Sequence, residues 1–273
     1  MVILIVASFC NYWYNFLYEF LKEWSGGQML KILYVALLVA FVSCVIAFLV
    51  VRVKQGGVKA LFLKTISAVL FILSSFVALS MKPENYYYGV FIVIGLVFGM
   101  LGDIWLDLKF VHKDFDEQYT FAGIFSFMIG HIFYVVGILA AYPEFIGWQV
   151  ALAIFSAVAV TAIVRFASIK MGFEYGKFNL LIAIYSVVTM LTVTFALNAV
   201  NAFGWLPILA GAPMPEIMPK LLCLNMGTVM FALSDLVLSF VFFKKGGNTS
   251  RNVVLNHSVY FTSQFILALS ILM

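Results

Sequence analysis

Charge is scarce in this chain. Asp, Glu, Lys and Arg together make up 10% of its 273 residues, while 64% are hydrophobic and the mean hydropathy is +1.09. Such a balance excludes an ordinary soluble domain. Cysteine is almost absent as well: Cys10, Cys44 and Cys223 lie far apart in apolar surroundings, which excludes a disulfide framework and a cysteine-based metal site. The three histidines show no HxxxH spacing, so a His-rich zinc site cannot be assembled from them. The chain has no GxSxG elbow, no Gly-rich phosphate loop, no internal repeat and no low-complexity tract, which argues against a serine hydrolase of the elbow type and leaves no room for a second domain. Neither a metal nor a cofactor is expected. The first residues lack a basic segment and a small-residue cleavage site, so a cleaved signal peptide is not expected either. All six prolines (Pro83, Pro143, Pro207, Pro213, Pro215 and Pro219) fall between the long apolar stretches rather than within them.

Those stretches are the dominant feature. Twenty-residue apolar runs recur without the alternation of a barrel strand, which predicts transmembrane helices. Eight spans are expected near 29–51, 60–80, 87–108, 119–142, 147–165, 179–200, 220–243 and 254–273, joined by short connections except from Asn201 to Pro219. The fold class is therefore all-α, a polytopic transmembrane bundle of eight spans forming one domain over 29–273. Residues 1–24 read differently. Ser8, Asn11, Asn15, Glu19 and Lys22 draw a polar stripe at helical spacing, and Tyr12, Trp13, Tyr14 and Trp24 suit the headgroup zone. An additional amphipathic helix lying in the interface is expected there, with an extra span as the alternative.

The net charge of +4 does not point to nucleic acid, because the basic residues cluster at span ends. Arg52, Lys54, Lys59, Lys109, Lys113, Arg165, Lys170, Lys177, Lys244, Lys245 and Arg251 follow the odd-numbered spans. Lys22, Lys31, Lys82 and Lys220 lie on the other side. The positive-inside rule then places the loops after odd-numbered spans in the cytoplasm.

Against this apolar background a few polar groups stand out. Asp103, Asp235, Lys64 and His131 lie inside apolar stretches. A carboxylate at membrane depth costs roughly 2.5–3.5 kcal/mol on insertion scales, so it marks a functional site by default. Counting 1.5 Å per residue from the nearest basic boundary puts Lys64 roughly 8 Å deep, Asp103 roughly 9 Å, Tyr185 about 12 Å, and Asp235 and Tyr260 about 14 Å. His131 and Gln264 come near 20 Å by the same rise. Six helices thus supply polar groups to one slab of a hydrocarbon core about 30 Å thick. Helical phase agrees. His131 and Tyr134 are i,i+3 neighbours, Asn256, Tyr260 and Gln264 follow at i,i+4, and Asn225, Thr228, Ala232, Asp235 and Ser239 run down the seventh span. Such faces should point into the bundle, since lipid offers no partner. Gly95, Gly99 and Gly102 allow a close helix neighbour beside Asp103. The bland alternative for the aspartates is structural pairing with Lys64 or a tyrosine hydroxyl, and for His131, Tyr134, Tyr185, Tyr260 and Gln264 it is interhelical hydrogen bonding. Asp107 is expected to cap or snorkel near the interface, and His112 and His257 to sit idle at span ends.

These residues resemble the lysoplasmalogenase family, the YhhN-like membrane proteins. The resemblance is carried by Gly95-Leu96 before Gly102-Asp103, by Phe121 and Gly123 leading to Gly130-His131 with Tyr134, by Tyr185, by Ser234-Asp235, and by Tyr260 with Gln264, in that order over roughly 30–273. Lys64 is similar to the family's second-span lysine, but Thr65 stands where proline is usual, and Gly99 where serine is usual. The resemblance implies hydrolysis of the vinyl ether bond of lysoplasmalogens, a class of lysophospholipid, to a fatty aldehyde and a glycerophospho-headgroup. It implies Asp103 and Asp235 as an acid/base pair, with Lys64, His131, Tyr134, Tyr185, Asn225, Tyr260 and Gln264 orienting substrate or water. Which aspartate is the acid stays open from the sequence. Lys109, Lys244 and Lys245 are placed to meet an incoming phosphate headgroup, or merely to anchor helix ends. A small proton-coupled secondary transporter or a lipid-binding membrane protein is the alternative.

Overall fold

The computed structural model describes residues 27–145 and 147–273, so the amphipathic segment expected over 1–24 lies outside the described residues. Eight long helices account for nearly all of the rest. They are α1 Gln28–Lys54, α2 Gly57–Met81, α3 Tyr86–Leu108, α4 Asp116–Ala141, α5 Gly147–Lys170, α6 Asn179–Ala199, α7 Met218–Phe243 and α8 Ser250–Leu269. No strand occurs among the described residues. Seven of the eight, α1 to α7, are long and apolar enough to cross a membrane. The exception is α8, whose polar residues lower its hydropathy but are buried: Asn256, His257, Ser263 and Gln264 all turn inward. It fits among α1, α2, α3 and α7 and is shielded by them. A helix enclosed by protein does not need the apolar surface that lipid demands.

Helix ends follow local chemistry. Thr249 caps α8, its Oγ1 accepting the Asn252 N–H at 3.2 Å. Asp116 and Glu117 open α4, where the dipole favours negative charge. Gly56 and Gly57 make the tight turn from α1 to α2 with φ of 62° and 64°, a region that side chains resist. The expected long connection after Asn201 is shorter than its sequence suggested. Helical backbone continues through a π-turn at Val200–Trp205 and on to Leu209, ahead of the proline-rich segment.

The tightest packing joins α3 to α4, and glycine makes it possible. A Cβ on Gly95 would fall 2.2 Å from Cε1 of Tyr134, and one on Gly130 would fall 2.9 Å from the backbone oxygen of Gly95. The second contact is with main chain, which cannot rotate aside. Gly130→Ala is therefore expected to destabilise the protein by about 1–3 kcal/mol, as overpacking does. Thermal unfolding in detergent would show this as a lowered midpoint. An unchanged midpoint would mean that the two helices can part at no cost.

The end bearing Arg52, Lys109 and Lys244 (the basic end) and the opposite end differ in construction. At the opposite end the Lys220 ammonium donates to Asn85 Oδ1 at 2.6 Å and lies over the Tyr88 ring, Asn85 Nδ2 donates to the Ile271 carbonyl at 2.9 Å, and the hydroxyls of Tyr88 and Ser270 meet at 2.5 Å. Lys220 is thus a buried tie between α7, α3 and the end of α8, not an interfacial loop charge.

Candidate functional site

The site begins with a charge problem. Asp103 and Asp107 are one helical turn apart on α3, so both carboxylates face the same way. Both are buried, each with 3% of its surface exposed. Lys64 on α2 answers them together: its Nζ lies 3.0 Å from Asp103 Oδ1 and 3.4 Å from Asp107 Oδ1. Arg52 at the end of α1 approaches Asp107 from the other side, Nη1 to Oδ2 at 3.7 Å, with its guanidinium over the Phe110 ring. The result is a ladder of alternating charge from the basic end to Asp103. The expectation that Asp107 caps or snorkels is thereby corrected. Two residues from the end of an apolar run is shallow along the helix axis, but Arg52 and Lys64 from neighbouring helices close over it.

Asp235 on α7 has a different setting. Its Oδ2 accepts a hydrogen bond from the Tyr185 hydroxyl on α6 at 2.6 Å, and no cation pairs with it among the described residues. Asp103 and Asp235 nevertheless border the same space. A cavity of about 300 Å³ is lined by Lys64, Asp103, Asp107, Asp235 and Tyr260, and runs to Arg52, Gly57, Asn248 and Ser250 at the basic end. Asp103 Oδ2 and the Tyr260 hydroxyl lack a hydrogen bond of regular geometry, but the two side chains face each other closely enough to interact, Tyr260 approaching from the α8 side. Both residues border this polar, roomy space, the setting in which water binds.

A second cavity, of about 530 Å³, lies between α5, α6 and α7 and is almost wholly apolar. Tyr185, Leu106, Phe127 and Asp235 belong to its wall, so Asp235 borders both spaces.

The remaining sequence candidates stand apart from the cavities. His131, Tyr134, Gln264 and Asn225 line neither. His131 Nδ1 and Thr192 Oγ1 are 3.1 Å apart, the imidazole packs at 4.4 Å on Phe231, and Tyr134 donates to Gln264 Oε1 at 3.3 Å. The aromatic cluster of Phe127, Phe231 and Tyr260 packs beside this layer. The His131, Tyr134 and Gln264 layer supports the site without bordering it, although His131 Nε2, Gln264 Nε2 and Asn225 Nδ2 are buried without partners.

Several cavity residues escaped sequence reasoning. His257, discounted as a span-end residue, is buried against Phe48 at 4.9 Å and lines the polar cavity. Arg52, Asp107 and Asn256 line it too. The signal for Asp107 was its i,i+4 spacing from Asp103, and Asn256 had already been singled out at i,i+4 from Tyr260. Conversely, Lys109, Lys244 and Lys245 do not line the polar cavity. Lys109 pairs with Asp116 at 3.5 Å and lies 3.5 Å from the Phe242 ring centre, and this burial pushes its ammonium below the usual lysine range. Lys244 lies over Phe240 and Phe173. No group of three or more potential metal ligands occurs among the described residues.

Comparison with known proteins adds one finding. The model of the YhhN family matches residues 59–271, from the start of α2 through α8. No curated protein and no solved structure matches the chain.

Proposed function

Because this chain belongs to the YhhN family, the family that lysoplasmalogenases belong to, we propose that it is an intramembrane lysoplasmalogenase, an ether hydrolase that cleaves the vinyl ether bond of lysoplasmalogens. The observation that carries the reading is the unequal pair of carboxyl groups on one cavity: Asp103 beside Lys64, and Asp235 beside a tyrosine and no cation. Vinyl ether hydrolysis asks for that inequality, as glycoside hydrolysis does, with one group delivering a proton and another staying anionic.

In the proposed sequence Asp235 is the acid. It gives its proton to the outer alkene carbon, and the electron pair of the double bond forms the new C–H bond. The adjacent carbon becomes an oxocarbenium ion, stabilised by the Asp103 carboxylate. Asp103 then takes a proton from a water molecule as its oxygen bonds to the cationic carbon. The resulting hemiacetal breaks its C–O bond to the glycerol oxygen, which takes up the proton released by the hemiacetal hydroxyl as it leaves. The aldehyde forms, and the proton gained by Asp103 returns through the cavity to Asp235. Tyr185 holds one oxygen of Asp235, leaving the other as the proton-bearing atom. Lys64 keeps Asp103 anionic until it takes the proton from water. Tyr260, beside Asp103 on the cavity wall, is suited to orient the water. His131, Tyr134, Asn225 and Gln264 act as support for this wall. The basic loops after the odd-numbered helices are read as cytoplasmic, which would open the polar cavity toward the cytoplasmic leaflet.

The test is aldehyde release by purified protein from a lysoplasmalogen, run beside the matching ester-linked lysophospholipid. Aldehyde from the vinyl ether with the ester left intact is the expected result. No aldehyde from folded protein would overturn the reading and leave transport or lipid binding as the better account of the cavities.

A further inference from the structure

The large apolar cavity has no part in the proton transfers, yet its position is specific. It lies along α5, α6 and α7, and its volume of about 530 Å³ falls within the ~300–1,000 Å³ of ordinary small-molecule sites. It is a lengthwise gap between helices, since α5 packs along α6 but not along α7. The two sides are tied at the basic end, where Phe173 forms a bridge with Lys244, the Glu174 N–H donates to the Phe243 carbonyl at 2.8 Å, and Phe173 packs on Phe240. Away from this tie the rim of the gap faces outward: Ile163 is 68% exposed and Leu233 49% exposed, on the surface that lipid would cover. The inner wall reaches Asp235, the same residue that borders the polar cavity.

Resting on the hydrolase reading above, we infer that this gap holds the hydrocarbon chain of a single-chain lipid, admitted sideways from the bilayer between α5 and α7, so that the double bond lies at Asp235 and the headgroup in the polar cavity. The physical case is one of matching. A lysolipid has one apolar arm and one polar arm joined at the bond to be cut. Among the described residues, a polar and an apolar cavity share a carboxyl group in their walls. A chain passing from the bilayer into an apolar gap exchanges one hydrocarbon environment for another, so the move costs little. Left in the polar cavity, the same chain would displace water from unsatisfied polar atoms and leave them unpaired. Met190 and Val193 on α6 set the length available. Val193 lies eight residues beyond Tyr185, about 12 Å along the helix axis, and both line the gap. A bulky side chain there would shorten the space for the far end of the chain.

The test compares Val193→Trp and Met190→Trp with wild type on a long-chain and a short-chain alkenyl glycerophosphocholine. The expected result is at least a tenfold fall in the ratio of long-chain to short-chain kcat/KM in either variant. Equal losses on both substrates, or no loss in a folded variant, would overturn the inference. A wild type that cleaves neither substrate would overturn the hydrolase reading instead. The chain site is then decided on its own by photolabelling wild type with an alkyl lysophospholipid carrying a diazirine at its chain end. Adducts on the α5, α6 and α7 residues that line the gap support it. Adducts on α1, α2 and α8, or labelling no different from that by a two-chain phospholipid with the same diazirine, overturn it.

Discussion

Asp235→Asn is expected to lower aldehyde release by about a thousandfold while leaving the protein folded, the middle of the range for loss of a positioned acid. The amide oxygen still accepts the Tyr185 hydrogen bond, and the side chain keeps its volume, so packing between α6 and α7 is preserved. What is lost is the acidic proton. Tyr185→Phe should cost much less, about tenfold, because it removes only the group that orients Asp235. The measurement is the rate of aldehyde formation with detergent-extracted protein shown to be monodisperse. If the Asn variant kept most of its activity, Asp235 would not be the acid. The matching variant Asp103→Asn should also be inactive yet remain folded, because Lys64 retains Asp107 at 3.4 Å. The second carboxylate on α3 therefore makes activity and folding separable at Asp103.

Lys64→Met should do the reverse and act first on stability. Lys64 is the cation shared by two buried carboxylates, and Arg52 reaches only Asp107, at 3.7 Å. Removing one partner of a buried pair leaves an uncompensated charge at a cost of about 3–5 kcal/mol. The expected outcome is a strongly lowered unfolding midpoint in detergent, or failure to extract folded protein. The second-site change Asp103→Asn should recover much of the loss, since it removes the carboxylate that Lys64 alone pairs with while Asp107 keeps Arg52, and effects within one network are not additive. A Lys64→Met protein as stable as wild type would mean that the carboxylates are not charged together in the resting state.

The bundle was legible in the sequence because lipid imposes a severe filter: each apolar run long enough to cross had to be a helix. The aspartates were legible for the same reason, as exceptions to that filter. Burial that depends on neighbours was not. Asp107 and His257 lie near helix ends, and depth counted along a single helix cannot register that Arg52 reaches over one or that Phe48 packs on the other. The i,i+4 chain of Asn256, Tyr260 and Gln264 was correctly read as one face of a helix, but that face is divided between the polar cavity and the layer behind it. Periodicity gives direction around a helix and not what stands opposite. The apolar cavity was invisible in sequence, because a gap between α5 and α7 leaves no trace in the composition of either.

The enclosed position of α8 bears on how the chain enters a membrane. A segment is retained in lipid according to its own apolar content, and α8 falls short of the level met by α1 to α7. Its placement thus depends on receiving helices: α1, α2, α3 and α7 offer a slot that shields its polar side chains from lipid. Biogenesis at this point resembles the docking of a ligand more than the partitioning of an oil. Changes in the slot, remote from α8 in sequence, should show up as a chain whose final helix is left outside the bilayer.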